Sequence, residues 1–245
     1  MFSYEGKADP LFLWGHRGAP WLAVENTVGS FQAAFAHGLH GVEFDVQFSC
    51  DGIPFVFHDD DLRRLAQVEK VPSTLLWNEL RTITIRDPLR RTLGEARIPR
   101  LEEVLAVIPD HGFLNLELKH PGTLEDQDVM RMIRLLDDYA MRERTLISSF
   151  QLMHLYRVKD VAPDIALAVL WDGDPSMETI HQVSQSLSPV MHVPLRWLDQ
   201  HEITSGRLPA SMVAVWGLKN GEDVERCRRA GVDAVFIDSP EWVGR

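Results

Sequence analysis

A strand-forming stretch, VEFDVQF at residues 42–48, carries two carboxylates in an otherwise uncharged run. Glu43 and Asp45 are two residues apart, and side chains on a β-strand alternate between its two faces. Both carboxylates therefore project to the same side of the predicted strand. The turn sequence SCDG follows at residues 49–52, and residues 53–57 are predicted to return as a hairpin partner.

This strand is one of eight main strands that alternate with helices along the chain. The predicted main strands lie at 11–14, 42–48, 113–118, 145–148, 165–170, 189–193, 212–216 and 234–237. The predicted helices between them lie at 28–37, 101–108, 125–139, 151–160, 177–186, 199–206 and 222–230. Such a β/α alternation in a chain of 245 residues favours an α/β fold of the TIM (β/α)₈ barrel type over an open doubly wound sheet.

Residues 60–100 interrupt this alternation. Their scattered proline, glycine and aspartate residues predict a short excursion after strand two, with a brief helix near residues 73–80. Neither a Gly/Ser-rich or Pro-rich linker nor a sequence repeat divides the chain. Residues 1–245 are therefore predicted to form a single domain.

Side chains suited to catalysis fall where predicted strands end, and active sites of TIM barrels lie at the carboxyl ends of the strands. His16 and Arg17 follow strand one, and Glu43 and Asp45 lie on strand two. His58 ends the hairpin partner of strand two, and Glu117 and Lys119 close the third main strand. Since adjacent strands contribute them, these side chains are expected to meet on one rim.

The residue types at this rim match the needs of phosphodiester chemistry. Glu43, Asp45 and Glu117 offer the hard oxygen ligands that Mg²⁺ and Ca²⁺ prefer. His16 and His58 can act as the base and the acid of a phosphodiester cleavage, since histidine titrates near neutral pH. A phosphate can be held by positively charged side chains after strands one and three.

Structural interpretations of the same residues stay open. The two strand-two carboxylates could pair with basic neighbours or face solvent, as most acidic residues do. A histidine in a strand is often a structural residue whose nitrogens are satisfied. Lys119 could simply neutralise the carboxylate two residues before it, although that role and phosphate binding are compatible.

Composition narrows the classes of partner. An apolar fraction of 45% is ample for a globular core, and the net charge of −11 argues against nucleic-acid binding and against an electrostatic membrane anchor. An anionic substrate would have to be captured by local positive charge and a metal. The apolar stretch at residues 11–14 is too short for a signal peptide or a spanning helix, so no membrane insertion and a cytoplasmic location are expected.

An ordered set of motifs resembles the glycerophosphodiester phosphodiesterase family of TIM barrels. The motifs run in family order over nearly the whole chain, and each is weak alone, whereas the ordered set is specific. They are His16-Arg17-Gly18, Glu25-Asn26-Thr27, Glu43-Phe44-Asp45-Val46, Asp51-Gly52, His58-Asp59, Glu117-Leu118-Lys119, Ser148-Ser149-Phe150 and Gly231-Val232-Asp233 with Asp238.

The resemblance implies hydrolysis of a glycerophosphodiester to glycerol 3-phosphate and an alcohol. It implies one divalent cation, Mg²⁺ or Ca²⁺, at Glu43, Asp45 and Glu117, with an acid–base pair of histidines. It further implies that Arg17 and Lys119 bind the phosphate and that Trp216 packs near the glycerol. The acid–base pair would be His16 and His58.

Four positions depart from the family pattern. Val24 replaces the usual proline, Arg64-Leu65-Ala66 replaces arginine–threonine–threonine, residues 216–220 (WGLKN) contain an extra residue, and Ile237 replaces threonine. None removes a proposed metal ligand or histidine. They bear on the leaving-group pocket and on the substrate range, because loops after late strands shape that pocket.

Two alternative functions remain. A phosphodiesterase of the lysophospholipase D type would need an apolar groove at the rim, for which the candidates are Trp21, Leu22, Leu75, Leu76 and Trp77. A non-catalytic protein could bind glycerophosphodiesters or metal. The partner is in each case a small molecule, and a monomer and a homodimer are both compatible with the sequence. The head group, the nucleophile (water or the glycerol 2-hydroxyl) and the division of acid and base between the histidines stay open.

Overall fold

Parallel pairing closes the main strands into a barrel. The structure is a computed structural model, which describes residues 11–89, 91–199 and 210–243. In chain order the strands are β1 Phe12–His16, β2 Gly41–Phe48, β3 Pro54–Val56, β4 Thr84–Ile85, β5 Ala96–Arg97, β6 Phe113–Leu118, β7 Thr145–Ser149, β8 Ala166–Leu170, β9 Val190–Pro194, β10 Met212–Trp216 and β11 Ala234–Ile237. The large sheet runs β1-β11-β10-β9-β8-β7-β6-β2-β3, and a parallel pairing of β1 with β2 closes the ring.

The predicted TIM barrel is therefore confirmed. Every pair in the ring is parallel, while β3 is an antiparallel partner added to β2, as the hairpin prediction expected. The carboxyl ends of the ring strands consequently share one rim. The register places Asp45 on β2 opposite Glu117 on β6, and His16 on β1 opposite Glu43.

Helices connect the strands and pack around the barrel. They are α1 Val28–Ala36, α2 Arg63–Ala66, α3 Trp77–Leu80, α4 Leu101–Leu105, α5 Asp126–Asp138, α6 Leu152–Val161, α7 Met177–Ser186 and α8 Gly221–Ala230. Short 3₁₀ segments lie at Pro72–Thr74, Arg91–Leu93, Arg142–Arg144, Leu195–Asp199 and Pro240–Val243. The hydroxyl of Thr27 accepts a bond from the Ser30 amide and so fixes the start of α1 next to the rim.

The excursion after strand two is more regular than the sequence indicates. The predicted helix near residues 73–80 is divided into the 3₁₀ turn Pro72–Thr74 and α3. The small antiparallel pair β4–β5 was not predicted, because strands of two residues are too short for alternation to show. Helix α4 ends at Leu105 rather than at residue 108. The predicted helix at 199–206 lies outside the described residues.

Two apolar layers hold the barrel together. The larger one lies between the strands and the surrounding helices, with Phe31, Phe44 and Trp197 among its fully buried members. A smaller one lies inside the barrel and includes Trp14 and Phe236. The interior is thus apolar on one part of its wall and polar on the rim that carries the carboxylates. Among the described residues, the helices are too short or too polar to cross a membrane.

Candidate active site

A tight turn after β1 brings His16 and Arg17 to the rim. Arg17 and Gly18 both have positive φ angles, of 54° and 88°. A Cβ atom on Gly18 would lie 2.4 Å from Ser30 Oγ, so only glycine fits against α1 at this point. The turn directs the Arg17 amide toward Glu43, whose Oε2 accepts its hydrogen bond at 3.0 Å.

Three carboxylates from β2 and β6 converge beside this turn. Glu43, Asp45 and Glu117 each offer an oxygen, and these oxygens lie within 4.8 Å of one another. All three residues are buried. The Oε1 atoms of Glu43 and Glu117 have no hydrogen-bond partner within the described chain. A buried cluster of hard oxygen donors with unsatisfied lone pairs fits the coordination chemistry of Mg²⁺ or Ca²⁺.

The electrostatics of the cluster point the same way. Burial, together with the nearby charges of Asp45 and Glu117, raises the pKa of Glu43 well above its usual range. Burial and the charge of Asp45 raise the pKa of Glu117 to about 7. Burial alone would also raise the pKa of Asp45, but Arg17, His58 and Lys119 hold it far below its usual value. Without a cation, the three carboxyl groups can therefore all be ionised only against a large repulsion between their negative charges.

Each candidate histidine is oriented by a carboxylate. Nδ1 of His16 lies 2.7 Å from Oδ1 of Asp238, and Nδ1 of His58 lies 2.7 Å from Oδ1 of Asp59. A carboxylate only accepts hydrogen bonds, so Nδ1 of each neutral ring carries the proton. The Nε2 atom of each ring is then left with a lone pair, which is the arrangement that a general base requires.

Two cations lie against the carboxylates. Lys119 Nζ is 3.5 Å from Asp45 Oδ1 and 3.5 Å from Glu117 Oε1, so it acts as the neutralising partner that the sequence left as one alternative. Arg17 Nε is 3.5 Å from Asp45 Oδ2 and Nη1 bonds Glu25 at 2.8 Å. Both side chains also line the cavity, so the same cations can face a bound anion.

Glu25 and Asp59 belong to the motifs that carry the family resemblance, but no role was predicted for either residue. Arg64 Nη1 and Nη2 bond the two oxygens of Glu25 at 2.8 and 2.7 Å. Arg64 Nε also bonds Asp59 at 2.7 Å. Glu25 therefore joins Arg17 to Arg64, and Arg64 holds the carboxylate that orients His58. The signal for this network was the family motif alone, since long-range ion pairs have no local pattern.

The cavity above these groups has a volume of about 340 Å³. Seven of the eight predicted site residues line it, including Trp216, while Asp45 lies just behind its wall. Its other side is largely apolar, a feature that the sequence did not reveal. The apolar lining consists of Phe150, Leu170, Trp216, Leu218 and Phe236. Trp216 packs edge-on against Phe150, with ring centroids 6.0 Å apart.

The apolar residues named for a lysolipid groove do not line this cavity. Leu75 is buried in the separate apolar cluster of the excursion, and Trp77 packs against that cluster. Trp21 is 47% exposed and contacts Trp242 edge-on instead. These residues therefore contribute to packing and to the outer surface.

Comparison with known proteins identifies the family of this barrel. The model of the glycerophosphoryl diester phosphodiesterase family matches residues 16–242. The chain belongs to this family. A glycerophosphodiester phosphodiesterase of Caldanaerobacter subterraneus subsp. tengcongensis is 30% identical over 228 residues, covering 92% of this chain and 93% of that protein. A second one, from Bacillus altitudinis, is 26% identical and covers 94% of this chain and 95% of its own.

Solved structures of glycerophosphodiester phosphodiesterases share the fold. A phosphodiesterase of Oleispira antarctica, solved with the product sn-glycerol-3-phosphate, aligns with a TM-score of 0.82 at 27% identity, covering 94% of this chain and 93% of that one. The enzyme of Thermotoga maritima aligns with a TM-score of 0.74 at 26% identity, covering 94% and 96%. The chain is accordingly a phosphoric diester hydrolase of the glycerophosphodiester phosphodiesterase type.

Proposed function

We propose that this enzyme hydrolyses glycerophosphodiesters to glycerol 3-phosphate and an alcohol, with one divalent cation and a pair of histidines. The observation that carries the proposal is the carboxylate cluster, whose oxygens lie within 4.8 Å of one another beside two carboxylate-oriented histidines. The structure of the Oleispira antarctica relative with glycerol 3-phosphate supports the same product.

Glu43, Asp45 and Glu117 would hold the cation, which we propose to be Mg²⁺ or Ca²⁺. Bound there, it would supply Lewis acidity toward the phosphoryl oxygens of the substrate. The carboxylates themselves would be held ionised by this positive charge, against the repulsion that raises the pKa of Glu43 and Glu117.

His16 and His58 would transfer the protons. One neutral ring removes the proton of the attacking hydroxyl or water at its Nε2 atom, and the other ring, which must be protonated on both nitrogens, donates its Nε2 proton to the departing alcohol oxygen. Asp238 and Asp59 each accept the Nδ1 hydrogen bond of one ring, which leaves Nε2 of the base free and stabilises the imidazolium of the acid. Both rings line the same cavity as Arg17 and Lys119, which would bind the non-bridging phosphate oxygens.

The apolar wall around Trp216 would face the glycerol carbons or the leaving alcohol. Its side chains offer contact area but no charge, and the nearby guanidinium carbon of Arg196 lies 6.0 Å from the centroid of the Trp216 ring. Phosphate and cation would therefore fix the reacting centre, and the apolar wall would select the groups attached to it.

The test is hydrolysis of glycerophosphocholine, glycerophosphoethanolamine and a long-chain lysophosphatidylcholine. Glycerol 3-phosphate is measured as the product of the first two substrates, and choline and lysophosphatidic acid are measured as the products of the third. His16→Ala and His58→Ala are each expected to lower kcat by roughly 10²–10⁴-fold. His181→Ala, on the exposed face of α7, is the matched control and should keep full activity. Addition of EDTA should abolish hydrolysis, and Mg²⁺ or Ca²⁺ should restore it.

Two results would contradict the proposal. Full activity in both histidine variants would show that His16 and His58 are not the acid–base pair. Hydrolysis that survives chelation would show that the reaction does not require the cation. Turnover of the lysolipid alone would favour the lysophospholipase D alternative.

A further inference from the structure

Interior side chains of the barrel form layers beneath the cavity. Because the strands are tilted, residues paired by hydrogen bonds on neighbouring strands lie at heights that differ by about one residue along the barrel axis. The four side chains of one layer come from every second strand. The next member of a layer is therefore found by following the pairing across two strands and then moving two residues toward the carboxyl end. Glu43 on β2 pairs with Asn115 on β6, which pairs with Leu146 on β7, and the position two residues after Leu146 is Ser148. The same step leads from His192 on β9 to Phe236 on β11, and from Phe236 back to Glu43.

One layer therefore contains Glu43, Ser148, His192 and Phe236. A measured contact supports this assignment, since the rings of His192 and Phe236 lie edge to face with centroids 5.0 Å apart. Glu43 and Phe236 also line the cavity, which places the layer at the cavity floor. Asn115, the register partner of Glu43, lies next to this layer and lines the cavity too.

The polar atoms of this layer lack partners. Within the described residues, neither ring nitrogen of His192 nor Oγ of Ser148 has a hydrogen-bond partner, and the same holds for Oδ1 of Asn115. His192 and Ser148 are completely buried, and Asn115 is 1% exposed. Polar side chains that are buried this deeply normally find a partner, in protein or in ordered water.

The chemistry of the unpartnered atoms fits water. Burial lowers the pKa of His192 to about 3, so its ring is neutral near pH 7 and offers one N–H donor and one acceptor nitrogen. Ser148 adds a hydroxyl that can donate and accept, and Asn115 adds a carbonyl acceptor. A buried water molecule commonly makes two to four hydrogen bonds to groups of this kind. An anion or a metal ion would not match this mixture of donors and acceptors equally well.

We propose that Ser148, His192 and Asn115 bind one or two ordered water molecules beneath Glu43, and that this buried water positions the Glu43 carboxylate for cation binding. Ser148 and His192 are thus positioning residues that act through water, and neither is among the residues that line the cavity. The water-binding part stands on the layer geometry. The effect on cation binding rests on the function proposed above.

Two measurements test the proposal. A crystal structure of the enzyme at about 1.5 Å resolution should show water within hydrogen-bond distance of a His192 ring nitrogen and of Ser148 Oγ. Calorimetric titration with Mg²⁺ alone and with Ca²⁺ alone should give a Kd raised about tenfold in Ser148→Ala and in His192→Phe, the lower end of the effect of outer-shell partners on metal sites.

Thermal unfolding separates positioning from a structural role. His192→Phe removes buried polar atoms, so its Tm in the absence of metal should stay equal to or above that of the wild type while its cation affinity falls. His192→Gln, which can bond the same water, should return the Kd to within about threefold of wild type. His154→Phe, at a buried histidine of α6 outside the barrel, should leave the Kd unchanged.

Absence of water beside His192 in the crystal structure would overturn the water site. An unchanged Kd in both Ser148→Ala and His192→Phe would overturn the positioning role. If His192→Phe does not fold, Ser148→Ala decides alone, since it removes a single oxygen. A wild-type enzyme that binds neither cation would instead refute the proposed function, and this outcome is distinct from an unaltered Kd in the variants.

Discussion

Among the described residues, Glu25 is the one carboxylate that bonds both arginines behind the active site, so Glu25→Gln tests how much this network stabilises the fold. Its oxygens accept hydrogen bonds from Arg17 at 2.8 Å and from Arg64 at 2.8 and 2.7 Å. The side chain is only 10% exposed. Glutamine keeps the shape and one acceptor oxygen, but it removes the charge that both guanidinium groups share.

Two estimates of the stability lost in Glu25→Gln agree. Burial alone would raise the pKa of Glu25, yet the bonds and charges of Arg64 and Arg17 lower it from 4.5 to about 2. That difference corresponds to about 3 kcal/mol of stability at neutral pH. Removal of one partner from a buried ion pair typically costs about 3–5 kcal/mol. Glu25→Gln is therefore expected to lower the free energy of unfolding by about 3 kcal/mol and the Tm by roughly 6–12 °C.

The loss should depend on pH with a defined sign. The pKa of the Glu25 carboxyl is depressed on folding, so its contribution is complete well above 4.5 and disappears as the pH falls toward 2. Urea unfolding of both proteins, followed by circular dichroism at pH 7 and at pH 3.5, measures the difference. The gap between wild type and variant should narrow to about 2 kcal/mol at pH 3.5.

Glu69→Gln is the matched control. Glu69 is 83% exposed and lies 3.8 Å from Arg63, so its loss should change stability by less than about 0.5 kcal/mol at either pH. A Glu25→Gln gap below about 1 kcal/mol, or a gap that is equal at both pH values, would refute the reasoning from this network.

Three further predictions concern the rim. Asp238→Asn should lower kcat about tenfold or more at nearly constant KM, because the His16 ring loses its orienting carboxylate; steady-state kinetics on glycerophosphocholine measure it. Lys119→Ala should raise KM about tenfold, with partial recovery in Lys119→Arg, because the proposed cationic partner of the phosphate is lost. In metal-free protein, the raised pKa of Glu117 favours its protonated form. Its contribution to stability is therefore complete below pH 4.5 and is lost as the pH rises through about 7. Scanning calorimetry should show a Tm that falls over this pH range and recovers on addition of Mg²⁺.

Local pattern and chain order were enough to predict the barrel. Seven of its strands begin and end within one residue of the predicted bounds, and β1 ends two residues later than predicted, at His16 instead of Trp14. The same strand ends predicted which charged groups share the rim, because parallel strands place their carboxyl ends together. Strand alternation explains why Glu43 and Asp45 point to the same side.

Features that depend on distant pairing could not be predicted in this way. Arg64 follows β3 in the chain, yet its strongest partner is Glu25, which precedes it by 39 residues. Nothing in the sequence around either residue signals that pairing. The polar floor at His192 has the same origin, since the barrel register places it across from Glu43 whereas its own segment is a run of apolar residues.

The balance of charge at the rim explains how an acidic protein can bind an anionic substrate. Three permanent cations face six carboxylates there, namely Arg17, Arg64 and Lys119 against Glu25, Glu43, Asp45, Asp59, Glu117 and Asp238. Apart from Asp238, which bonds the His16 ring, the surplus is two negative charges. It is concentrated on Glu43 and Glu117, whose pKa values are raised, and Oε1 of Glu43 has no hydrogen-bond partner among the described residues. A single divalent cation matches that surplus in charge and position. With it in place, Arg17 and Lys119 can direct their remaining positive field toward the cavity, so the net charge of −11 on the whole chain does not decide what the cavity binds.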